Sequence, residues 1–178
     1  MSFMAVFCCF LCLIQFGGSA FAQGVPGLEG KLKAVFLYHF LQYVRWPEPE
    51  QEGPLRVVLA GDTPIETHLR QIAQSRDVGG RKIEVVQSLS PEDWEVCHIL
   101  FVPDANWSEF ETAASHFLRL PVLVVSDTTS GGEYLPSFRF FIEGDRLHIE
   151  ANRDVLKSQG LKVSSQLMKL THSEGGKR

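Results

Sequence analysis

Six histidines (His39, His68, His98, His116, His148 and His172), four cysteines and twenty-one acidic residues are the raw material from which a catalytic or metal site could be built. No two histidines stand at the two- to four-residue spacing that lets one helix or strand offer two ligands to a metal, so no metal site is expected. His148 and Glu150 share one face of a strand, which reads as a solvated cross-strand pair. Ser126 stands in Val124-Val125-Ser126-Asp127 at a strand end, without the flanking glycines that a nucleophile elbow requires. Ser126 and Asp127 therefore read first as turn and cap residues, and second as ligand contacts. The turn at Gly61-Asp62 has one glycine where a dinucleotide fingerprint needs three, and Asp62 would repel phosphate; it reads as a helix cap. Arg81 follows Gly79-Gly80 at a strand start, where backbone can approach an anion, and is the best single candidate for a polar ligand contact. His98, beside Cys97, joins the candidates. Tyr38 and Trp46 fall off the best apolar stripe of the first helix and are candidates for a partner surface. No catalytic constellation emerges, and no cofactor is expected.

The elements that would position these residues follow from periodicity. Residues 28–46 place Leu28, Leu32, Val35, Phe36, Phe40, Tyr43 and Val44 at helical spacing, and Pro47 ends the helix. Apolar runs at 55–60, 82–87, 98–102 and 121–125 read as strands. Between them lie a helix opened at Pro64 and running to about Gln74, a short capped turn at 90–94, and a helix capped by Asn106 that ends near Leu118. Strands alternating with helices predict an α/β fold, a Rossmann-like layer sandwich with a mostly parallel sheet. Residues 138–143 and 146–150 alternate around Gly144-Asp145 and predict a C-terminal antiparallel hairpin. Asn152 caps a helix stopped at Gly160, Ser164 opens a last turn to Leu170, and residues 173–178 are a polar tail expected to fray.

The amino terminus has a different character. No charged residue or histidine occurs before Glu29, and residues 3–16 are almost wholly apolar. Gly17-Gly18-Ser19 and then Ala20-Phe21-Ala22 match the end of an export signal, which predicts cleavage between Ala22 and Gln23 and one domain over 23–178. The apolar run is shorter than the roughly 18 residues of a membrane span. Cleavage removes Cys8, Cys9 and Cys12, leaving Cys97 as a free buried thiol with no internal disulfide. The formal charge is −4 with no basic stripe, which argues against nucleic acid or an anionic membrane as partner.

Several ordered motifs then add up. The run from Lys33 to Phe40, Trp46-Pro47, Gly80-Arg81 and the run from Cys97 to Val102 resemble the YfiR-like family of small periplasmic proteins. Gly131-Gly132, the runs 141–144 and 149–152, and Gly160 to Leu167 continue the resemblance in the family's order, across nearly the whole expected mature chain. The resemblance implies a Rossmann-like sandwich that tends to dimerise. It also implies a non-enzymatic regulator that holds the periplasmic part of an inner-membrane diguanylate cyclase inactive, lowering cyclic di-GMP and biofilm formation, with an outer-membrane lipoprotein as a further partner. In the family's best-known member the cysteine of the Cys-His motif is disulfide-bonded; here Val58 stands at the partner position, and redox control is in doubt. Asp154-Val155 also replaces the Ala-Ala pair that commonly follows the family's Asn. The rival reading of the same residues is a periplasmic small-molecule sensor or solute-binding module using a loop pocket, with an enzyme third.

Overall fold

Runs of valine, leucine and isoleucine shielded on both faces are what a parallel sheet covered by helices requires, and the chain assembles such a sheet. The computed structural model describes residues 26–47, 53–117, 119–130 and 132–173. The expected export signal and the last five residues lie outside them. The elements run α1 (Pro26–Tyr43), β1 (Val44–Arg45), β2 (Leu55–Leu59), α2 (Ile65–Ser75), β3 (Ile83–Gln87), α3 (Pro91–Glu95), β4 (Ile99–Val102) and α4 (Trp107–Phe117). They continue with β5 (Leu123–Ser126), β6 (Phe138–Glu143), β7 (Arg146–Ala151), α5 (Arg153–Ser158), β8 (Lys162–Val163), α6 (Ser165–Met168) and β9 (His172–Ser173).

Seven strands form one sheet in the order β3-β2-β4-β5-β6-β7-β9, parallel from β3 to β6 and antiparallel at the β6–β7 hairpin. The strand order reverses between β2 and β4, so a topological switch point lies there. Period-two alternation divides the core. Val57, Leu59, Ile99 and Phe101 face α1 and α2, while Val58, Leu100 and Val124 face the aromatic side chains Trp94, Trp107, Phe110 and Phe117. The expected α/β sandwich with its C-terminal hairpin is the observed fold.

Four local expectations are corrected. The first helix ends at Tyr43 rather than Trp46, because Val44-Arg45 leaves it to pair antiparallel with Lys162-Val163. Trp46 precedes a proline, which disfavours helical backbone there, and the partner strand lies too far along the chain to be read locally. Asp62 does not cap α2. Its carboxylate accepts from Gln87 Nε2 at 2.5 Å, while the Thr63 hydroxyl accepts the Ile65 amide at 3.4 Å. Asn106 closes a 3-10 turn, Asp104–Asn106, ahead of α4. Its side chain lies over Gly61, where an added Cβ would come within 2.2 Å of Oδ1; with φ +125, Gly61 is doubly required to be glycine. Ser173, expected in a frayed tail, pairs with Ala151 in the sheet.

Other local signals hold. Asn152 Oδ1 accepts the Val155 amide at 3.1 Å, the Ser164 hydroxyl accepts that of Leu167 at 3.2 Å, and Gly160 takes φ +68 where α5 stops.

Phe138 is fully buried, with its ring stacked on Phe40 at 4.5 Å. Truncation there removes a large side chain that the neighbours cannot replace by collapse. Phe138→Ala is expected to lower unfolding stability by about 3–5 kcal/mol, measured by urea denaturation. Leu89→Ala, at a position 58% exposed, is expected to change it by less than about 0.5 kcal/mol.

Candidate functional site

Three candidate residues converge at the amino ends of β2, β3 and β4. Gly79 and Gly80, with φ of 59 and 81, form a tight turn closed by the Val78–Arg81 backbone pair at 3.0 and 3.1 Å, and this turn delivers Arg81. Arg81 Nε donates to the Gly53 carbonyl at 2.6 Å, and Nη2 donates to that of Pro54 at 3.4 Å. The same Nη2 lies 3.0 Å from His98 Nε2. His98 is buried; its Nδ1 accepts the Arg56 amide at 3.1 Å. The Trp46 indole N–H donates to the His98 carbonyl at 3.1 Å, and the two rings meet edge to face at 5.4 Å. Trp46, Arg81 and His98 are thus brought together as a knot that ties the segment after α1 to three strand starts. Burial lowers the pKa of Arg81 below the ordinary arginine value. Beside the knot opens a cleft of about 610 Å³, where Arg45 and Lys162, register partners on β1 and β8, add two cations to that of Arg81.

The other end of the sheet holds Ser126 and Asp127. Ser126 is fully buried at the end of β5; its hydroxyl donates to the Val102 carbonyl at 2.7 Å and accepts the Thr128 amide at 3.0 Å. Its hydrogen bonds go to backbone, and none of them is with a general base. Asp127 takes Lys33 Nζ on one oxygen at 2.6 Å and the Asp104 amide on the other at 2.9 Å. Asp104 in turn accepts the Thr129 amide at 2.9 Å. Lys33 also reaches Glu29 at 2.5 Å, one helical turn earlier. Burial pulls the Lys33 ammonium down, but hydrogen bonds and charge attraction from Asp127 and Glu29 outweigh it, and its pKa stands above the ordinary 10.5. A cleft of about 430 Å³ opens here, where a doubly wound sheet usually takes its ligands; four of its lining residues, Glu29, Asp62, Asp104 and Asp127, are acids. Lys33 was absent from the sequence candidates. The Glu29-to-Lys33 spacing was the only local signal for it, and that spacing is equally at home on a solvated face.

Tyr38 belongs to neither cluster. It packs in the core between α1 and α2; its hydroxyl accepts from Gln42 Nε2 at 3.1 Å and donates to the Asp77 carbonyl at 3.5 Å. Tyr38 and Trp46, expected at a partner surface, are 9% and 4% exposed, whereas Tyr43, expected in the core stripe, is 36% exposed with Leu28 and Leu32 at 56% and 40%. Helix α1 is apolar around its whole circumference, so spacing alone pointed to the wrong face. Cys97 is free and buried, its thiol directed at the Trp94 carbonyl at 3.1 Å. Burial pushes that thiol far above its ordinary range. Val58 lies in the same core cluster as Cys97. His148 stacks on Phe141 at 5.3 Å, and Glu150 pairs with Arg139 rather than with His148. Among the described residues, no three of His, Cys, Asp and Glu are grouped to hold a metal ion.

A family model described as YfiR/HmsC-like matches residues 30–172. No curated protein matches the sequence.

The raised Lys33 pKa links stability to pH with a definite sign: its contribution is complete below 10.5 and is lost as pH rises through the folded-state value. Lys33→Met is expected to cost about 1–2 kcal/mol at neutral pH. The gap to wild type should close above 10.5, read from urea midpoints across the alkaline range. The Cys97 thiol is expected to be inert to a water-soluble disulfide reagent in the native protein at neutral pH, and to react fully once guanidinium unfolds the chain.

Proposed function

This chain belongs to the YfiR/HmsC-like family, and on that premise we propose that it is a non-enzymatic periplasmic regulator. In this reading it binds the periplasmic part of an inner-membrane diguanylate cyclase and represses it, lowering cyclic di-GMP and biofilm formation. It reaches the periplasm through an export signal cleaved between Ala22 and Gln23, acts as a homodimer, and has an outer-membrane lipoprotein as a further partner.

The observation that carries this reading is the family match over 143 consecutive positions, residues 30–172. The side-chain chemistry supports it. Ser126 bonds to backbone, Asp127 holds Lys33, and Arg81 and His98 are engaged with the segment after α1 and with each other. These groups serve architecture, as expected of a protein that works by binding. Among the described residues no helix is long and apolar enough to cross a membrane.

A second reading, a periplasmic small-molecule sensor, draws on one observation: Arg45, Arg81 and Lys162 line the same cleft and suit an anionic ligand.

Deletion of the gene in its native host, with cyclic di-GMP measured by mass spectrometry, tests the first reading. The level is expected to rise severalfold, and the full-length gene should restore it while a gene lacking residues 1–22 should not. Unchanged cyclic di-GMP in a strain that expresses a cyclase with a periplasmic domain would sink the repressor reading.

A further inference from the structure

We draw no further inference here: the strongest candidate, the cleft at the carboxyl ends of β2, β4 and β5 where Glu29, Asp62, Asp104 and Asp127 gather near Lys33, rests on a cluster of acidic residues that each already hold a partner within the fold, and nothing in the structure shows what would fill it.

Discussion

Phe40 lies over Phe138 and Phe140 with ring centroids 4.5 and 5.9 Å away and planes nearly parallel, all three side chains withdrawn from solvent. That stack joins the first helix to β6, nearly a hundred residues later, and fixes where α1 crosses the sheet. A helix rises about 1.5 Å per residue, so pinning Phe40 also places Lys33 about 10 Å toward the carboxyl ends of the strands. In the other direction it brings the chain out at Trp46, beside His98 at the amino ends. The Lys33–Asp127 pair and the Trp46–His98–Arg81 knot are thus two ends of one strut. Each is satisfied by groups from elements that share no sequence neighbourhood, and the strut brings them together.

The strut also explains why parts of the architecture could be read from the sequence and parts could not. Strands such as Val57-Val58-Leu59 and Leu123-Val124-Val125 announce themselves because a strand buried on both faces needs apolar residues at every position. The hairpin is legible because Gly144, with φ +60, supplies a turn that few other residues accept. Caps made by the residue next door, Asn152 and Ser164, are local chemistry and are read locally. Helix α1 is different. Being apolar on all sides, it has no preferred face until the sheet is present, and spacing chose Leu28, Leu32 and Tyr43 where tertiary packing chose Ala34, Leu37 and Leu41. The β1–β8 pair had no local signal, since two residues at position 44 acquire strand character only from two at position 162. Asp62 and Asn106 have the composition of caps, but Asp62 is taken by Gln87 and the Asn106 side chain packs over Gly61.

The candidate site shows the same division. Arg81 was legible because Gly79-Gly80 marks a turn that must present the next side chain. Its partners, the carbonyls of Gly53 and Pro54 and the ring of His98, depend on register between β2, β3 and β4 and were not. Lys33 was illegible for a deeper reason. A lysine on an amphipathic helix is normally a solvated charge, and 94 residues separate it from the carboxylate that allows its burial. Only the fold says that this lysine sits beneath the β5 loop.

The core around Cys97 bears on what kind of control the molecule can have. In the resemblance a disulfide joins this position to one in the first strand of the sheet, and Val58 stands there instead. Parallel pairing of Val57 with Ile99 already sets the two strands in register, and Val58, Leu100, Trp94 and Phe117 belong to the same buried cluster as Cys97. A cross-link between strands already paired and desolvated adds chiefly a constraint on the unfolded chain, of about 2–4 kcal/mol. Packing of large aromatic side chains such as Trp94 and Phe117 is of comparable size. Stability can therefore do without the covalent bond, and burial pushes the Cys97 thiol above its ordinary range, which disfavours the reactive thiolate. The same phenylalanine stack backs helix α1, whose far side leaves Leu28, Leu32 and Tyr43 exposed.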